Sequence, residues 1–206
     1  MSEVVYTDAR QRTHALHLGL WLFLGSETLL FAGLFGLYAA YRASFPVEFR
    51  TGVAHDNVLI GTANTVVLIV SSFFVAWAVH AVRNDRRRTA VASLVTAFLL
   101  GCTFLVLKSI EYTEHIREGL APGAYYSSTE LPHHGSRLFF TLYYLMTGLH
   151  GLHVIGGMTA LAIIGRKLAR GGVSAEHPVL LENGALYWHL VDAVWIFLWP
   201  LLYLTG

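Results

Sequence analysis

The sequence predicts an all-α membrane protein, a five-transmembrane-helix bundle with its N-terminus in the cytoplasm and its C-terminus outside. Three observations lead there. The 206 residues are 55% hydrophobic and only 13% charged, where soluble domains approach roughly a quarter charged residues. Five apolar stretches are each long enough to cross about 30 Å of hydrocarbon as helices, and none alternates with the period of two expected of a barrel strand. Basic residues also alternate in density from one connection to the next, and Lys and Arg are retained preferentially on the cytoplasmic side.

The predicted helices run over 15–41, 57–82, 90–112, 138–165 and 183–205, the third and fifth ending beyond apolar runs that stop near 107 and 203. A polar leader, 1–14, precedes the first helix. That helix exceeds the roughly 7 to 15 residues of a signal-peptide core and lacks a small-residue cleavage site, so it is expected to stay in the mature protein. Gly19, Ser26 and Gly33 recur every seven residues along it, which predicts a small-residue packing seam. Glu27 interrupts its apolar face.

The second helix carries Asn64, Thr65, Ser71 and Ser72. The third holds Cys102, the sole cysteine, which excludes an internal disulfide and reads as a small packing residue. At its outer end Lys108 and Glu111 stand three apart and predict an interfacial ion pair, with Lys108 reaching outward to water. A connection of roughly 30 residues follows, with turn residues such as Pro122, Gly123, Pro132 and Gly135, and it is too short for a soluble domain.

The fourth helix has a second small-residue patch, Gly148, Gly151, Gly156 and Gly157, together with His150 and His153. Gly171 and Gly172 then mark a turn. In the fifth helix Trp188, Trp195 and Trp199 share a face with Asp192 between them, a candidate docking surface or lipid contact, and His189 lies one turn before Asp192. No repeat or charged linker divides the chain, so 1–206 reads as one domain.

Nine basic residues fall in the leader and the even-numbered connections: Arg10, Arg12, Arg83, Arg86, Arg87, Arg88, Arg166, Lys167 and Arg170. The opposite side has five: Arg42, Arg50, Lys108, Arg117 and Arg137. This imbalance places the N-terminus inside. Beside a membrane helix, the run Arg86 to Arg88 serves topology or lipid headgroups, and no nucleic-acid partner is expected.

Glu27, His150, His153, His189 and Asp192 all lie within apolar helices, where an ionisable group is costly unless it is paired or faces a cavity. At about 1.5 Å of rise per residue from the cytoplasmic ends, Glu27 and His153 both lie about 18 Å deep, His150 about 22 Å, Asp192 about 13 Å and His189 about 9 Å. Neighbouring depths predict one buried polar layer. Its chemistry stays open on residue type alone. It could be a metal or haem site, a proton relay, or a hydrogen-bonded core network. The Glu and His spacing of a di-iron bundle is absent.

Trp21-Leu22-Phe23-Leu24-Gly25-Ser26-Glu27 followed by Phe31-Ala32-Gly33-Leu34-Phe35, the pair Glu111-Tyr112, the run from Thr147 to Gly157 through His150 and His153, and Tyr187-Trp188-His189-Leu190-Val191-Asp192 together resemble subunit III of haem-copper terminal oxidases over nearly the whole chain. The resemblance is to the short five-helix bacterial type, without the two N-terminal helices of the longer form. It implies a cofactor-free subunit of a proton-pumping cytochrome c oxidase, with haem and copper in partner subunits and no catalytic, cofactor or metal residue in this chain. Subunit I is the main partner it implies, with subunit II and structural phospholipids. The implied place is the bacterial plasma (inner) membrane, and the implied work is to stabilise the catalytic subunit and support sustained proton uptake. A quinol oxidase subunit III and an accessory protein of nitric oxide reductase are the alternatives.

Overall fold

The computed structural model describes residues 9–129, 131, 134–171 and 179–205. Six α-helices and one short 3-10 turn follow one another: α1 (Ala9–Ser44), α2 (Pro46–His55), α3 (Val58–Arg83), α4 (Arg87–Arg117), the turn Gly123–Tyr125, α5 (His134–Ala169) and α6 (Val179–Tyr203). Five of them, all but α2, are long and apolar enough to cross a membrane. The helices outlast their apolar runs, because the backbone ladder continues into the interfacial zone after the side chains turn polar.

Sequence reading missed α2. Pro46 sits at its first turn, where a missing N–H costs nothing, and Phe49, Gly52 and Val53 turn inward against the bundle. Phe49 packs edge-on to both Tyr38 and Phe139. Thus α2 is a short amphipathic cover over one end of the bundle.

Local signals set the helix ends. Asn57 caps α3, its side chain accepting from the N–H groups of Leu59 and Ile60 at 3.0 and 3.3 Å. α4 ends in a Schellman turn. Gly119 takes φ 76 while Leu120 N–H donates to the His115 carbonyl and Gly119 N–H to that of Ile116. Between α3 and α4 the chain reverses through Asp85, at φ 56.

α3 and α4 form the most extensively paired hairpin, and α6 packs against α3 and α5. α1 is the outlier, with 11% of its apolar window buried against 44% for α6. At the end carrying most of the basic residues, Arg83 pairs with Glu182 and Arg87 donates to the Ala169 carbonyl. At the other end Arg42 bonds Thr205 and His55 meets Glu118 at 2.9 Å.

The two predicted small-residue seams differ in outcome. On α5, a Cβ at Gly157 would stand 2.7 Å from the Trp188 ring, so α6 approaches there as only glycine allows. On α1, a Cβ at Gly19 or Gly33 meets nothing within 4 Å. The α1 stripe therefore packs against no part of this chain among the described residues.

Candidate functional site

The five ionisable residues expected in one layer do not join into a single network. They divide into three separate groupings. Glu27 and His153 meet directly, the imidazole Nε2 lying 2.7 Å from a carboxylate oxygen and linking α1 to α5. His153 Nδ1 lies 2.8 Å from the Leu149 carbonyl, which can only accept, so Nδ1 carries a hydrogen. The contact with Glu27 then holds one proton, either as imidazolium with carboxylate or as neutral imidazole with carboxylic acid. Both side chains keep some exposure, on the sparsely covered flank of α1.

His150, one turn before His153, turns inward instead. Its ring is fully buried between Phe104, Trp195 and Phe31, with centroids at 5.6, 5.1 and 6.5 Å. Among the described residues neither ring nitrogen has a hydrogen-bond partner. His189 and Asp192 form the third grouping, on α6 against α3, where Ser72 Oγ bonds His189 Nδ1. Ser72 also faces Asp192, yet neither carboxylate oxygen finds an aligned bond among the described residues. The side chains diverge because neighbours three apart on a helix still differ by about 60° in direction.

Two further expectations need correction. Trp188 and Trp195 do not offer a docking face, because both are buried inside this chain. Trp195 donates to Thr65 Oγ1 at 3.0 Å and stacks edge-on against Phe104 at 4.8 Å. Trp199 is half-buried. Asp192 keeps the central part of that face away from lipid, and α3 and α5 fill the space. Lys108 likewise does not reach outward. It is 6% exposed and Glu111 is 1% exposed, and the two pair at 2.9 Å.

Lys108 Nζ also bonds the hydroxyls of Tyr143 at 2.7 Å and Tyr203 at 2.9 Å. Tyr203 donates to the other Glu111 oxygen at 2.6 Å. All three ammonium hydrogens are thereby used, within a cage that also presents the rings of Tyr112, Tyr143, Trp195 and Tyr203 to the charge. A buried ion pair needs this degree of satisfaction to survive desolvation.

Next to the cage lies a group that the sequence reading missed. Asp56, between α2 and α3, points at His115 of α4, with Oδ1 and Nε2 3.2 Å apart. Burial pushes the Asp56 carboxyl up to about 6, a rise that His115 opposes. The signal that could have found it is the Glu111 and His115 spacing of one helical turn, which puts both on one face of α4. Asp56 itself gave none, since it sits in a connection and pairs only through the α2 to α3 corner.

A family model described as "Cytochrome c oxidase subunit III" matches residues 4–206. Similar curated proteins named "Cytochrome c oxidase subunit 3" include that of Gadus morhua, 34% identical over 199 residues covering 93% of this chain and 70% of the relative. The relative from Tetraodon nigroviridis is 35% identical over the same extent, and that from Cyprinus carpio is 34% identical.

Proposed function

The chain belongs to the cytochrome c oxidase subunit III family, and from that we propose that it serves as a subunit without a redox centre that braces the catalytic subunit of a proton-pumping oxidase. It is a multi-pass membrane component of an oxidoreductase complex. The finer reading is that it stabilises subunit I, keeps proton uptake working through many turnovers and holds structural phospholipids.

The observation that carries this reading is the flank of α1. Leu18, Trp21, Leu22, Leu29 and Leu30 are exposed on it, while Glu27 lies across the helix from Leu18, Leu22 and Leu29, on the face turned to His153 of α5. An uncovered apolar helix surface suits a membrane partner or lipid acyl chains. The proton held between Glu27 and His153 fits support of proton handling without any electron carrier in the chain. No catalytic residue is assigned.

Cytochrome c is the proposed electron donor of the complex. A quinol-oxidising complex and a nitric oxide reductase accessory role are the competing readings, and activity of the purified complex with reduced cytochrome c, quinol and nitric oxide separates the three. The basic residues at Arg83, Arg86, Arg87, Arg88, Arg166 and Lys167 support an N-terminus in the cytoplasm; tagging each terminus and testing protease access checks it. The bacterial plasma membrane follows the resemblance to the five-helix type, whereas the relatives above are fish proteins, so membrane fractionation of the source cells decides the compartment.

The role is tested by comparing the complex with and without this chain. Matching initial rates with faster loss of activity in its absence supports it. Immediate failure to reduce oxygen, with haem spectra unchanged, contradicts it.

A further inference from the structure

Asp56, Glu111 and His115 each offer one ligand atom, and these atoms all lie within 4.8 Å of one another. Asp56 is 4% exposed, and among the described residues neither of its carboxylate oxygens has a hydrogen-bond partner. His115 is buried to the same degree, and its Nδ1 is also without a partner among them. Its Nε2 stands 3.2 Å from Asp56 Oδ1 but out of line for a hydrogen bond. Buried polar atoms are nearly always satisfied, so the two orphaned oxygens of Asp56, set beside His115 Nε2 and Glu111, point to a missing partner with a positive charge.

We propose that Asp56, Glu111 and His115 form a binding site for a divalent transition metal of the zinc class. Two carboxylates and an imidazole are a donor set that zinc accepts. At metal-ligand bonds of about 2.0 to 2.2 Å, two ligands of a tetrahedral ion stand about 3.3 to 3.5 Å apart, so the Asp56 and His115 atoms already lie near the spacing of a ligand edge. Closing the widest gap takes about 1 Å of side-chain movement from Glu111 or Asp56.

Glu111 can serve while keeping its present bonds. A carboxylate has about four lone-pair sites, of which Tyr203 and Lys108 take one each. Those two residues then orient the ligand from behind, as outer partners of metal-bound carboxylates do. Calcium and magnesium fit poorly, because they require about six or more oxygen ligands and gain nothing from imidazole. The ion would clamp the α2 to α3 corner onto the end of α4, a structural role separate from the Glu27 and His153 pair and without redox chemistry.

The test uses the purified full-length protein in its complex, stripped with a chelator and titrated with zinc alone. The parent should bind one tight equivalent by elemental analysis and gain thermal stability with it. His115→Gln and Asp56→Asn should each weaken binding at least tenfold and lose the zinc-dependent rise in Tm, while His80→Gln, on the exposed face of α3, should change neither. Equal binding by parent and His115→Gln would assign the ion to other histidines, of which the chain has 11 in all, and would overturn the proposal. If these variants fail to fold, His115→Cys, which keeps a ligand at that position, decides: cobalt bound to it should show thiolate-to-cobalt charge-transfer absorption that the parent lacks, and bound cobalt without that absorption rejects the site.

Discussion

His153 of α5 holds the carboxylate of Glu27 on α1 at 2.7 Å, a polar link between a helix that the rest of the chain barely covers and the core of the bundle. Its partner on the other ring nitrogen, the Leu149 carbonyl at 2.8 Å, fixes the imidazole so that Nε2 faces α1. The link lies on the α5-facing side of α1, behind the exposed apolar flank of that helix.

Replacing Glu27 with Ala leaves His153 Nε2 without its acceptor or donor, at a cost of about 1 to 3 kcal/mol. The expected outcome is weaker retention of this chain in the complex and faster activity loss during turnover, with haem spectra and initial rates preserved. Time courses of oxygen consumption on matched preparations provide the check. Glu27→Gln, which can still hydrogen-bond, should lie between Ala and the parent.

Breaking one side of the Lys108 cage is expected to be severe. Glu111→Leu leaves an ammonium in a buried pocket, and loss of one partner of a buried pair costs about 3 to 5 kcal/mol. The double variant Lys108→Met with Glu111→Leu should recover much of that loss, since no charge then remains unpaired. Thermal unfolding of the two proteins in the same detergent tests the order, and a double variant less stable than the single one would reject the pairing.

Close approach of α6 to α5 depends on Gly157. Gly157→Leu forces side-chain atoms into the space of the Trp188 ring, and overpacking of this kind costs about 1 to 3 kcal/mol. Gly151→Ala meets nothing within 4 Å and should be neutral or gain up to about 1 kcal/mol from helix propensity. Parallel denaturation curves of the two variants separate packing from any general intolerance of α5.

Asp192 offers a different sign. Both of its oxygens lack an aligned partner among the described residues, so Asp192→Ala removes an uncompensated group and is expected to leave the isolated chain as stable as the parent, or more stable by about 1 kcal/mol. Its loss should be felt only in the complex, as reduced assembly or shorter active life. A marked drop in the Tm of the isolated chain would mean that Asp192 has an internal structural partner.

Much of this molecule is legible in the order of its residues. The five long helices follow from apolar runs alone, and residue spacing sets Glu27 and His153 at equal depth without singling them out as a pair. Depth does not give direction, however. His150 shares a helix turn with His153 yet faces Phe104 and Trp195, because about 60° of rotation carries it from the flank into the core. Asp192 set the Trp188 and Trp195 face against protein, but the sequence did not show that the protein is this chain's own: Gly157 admits Trp188 and Thr65 and Phe104 receive Trp195, so no docking surface is left there. Lys108 was read as reaching water since Tyr143 and Tyr203, 35 and 95 residues away in sequence, could not be known to converge on it. α2 was passed over because an amphipathic helix of 10 residues leaves no span-length signal, although Pro46 marked its start.

Purifying the complex from native membranes and then removing this chain decides whether it braces an oxygen-reducing partner without carrying electrons itself. Haem and copper should stay with the remaining subunits, the released chain should hold no stoichiometric haem or copper, and the depleted enzyme should start at its former rate but inactivate sooner. Stoichiometric haem on the released chain, or a depleted enzyme that cannot reduce oxygen from the first turnover, would contradict that role.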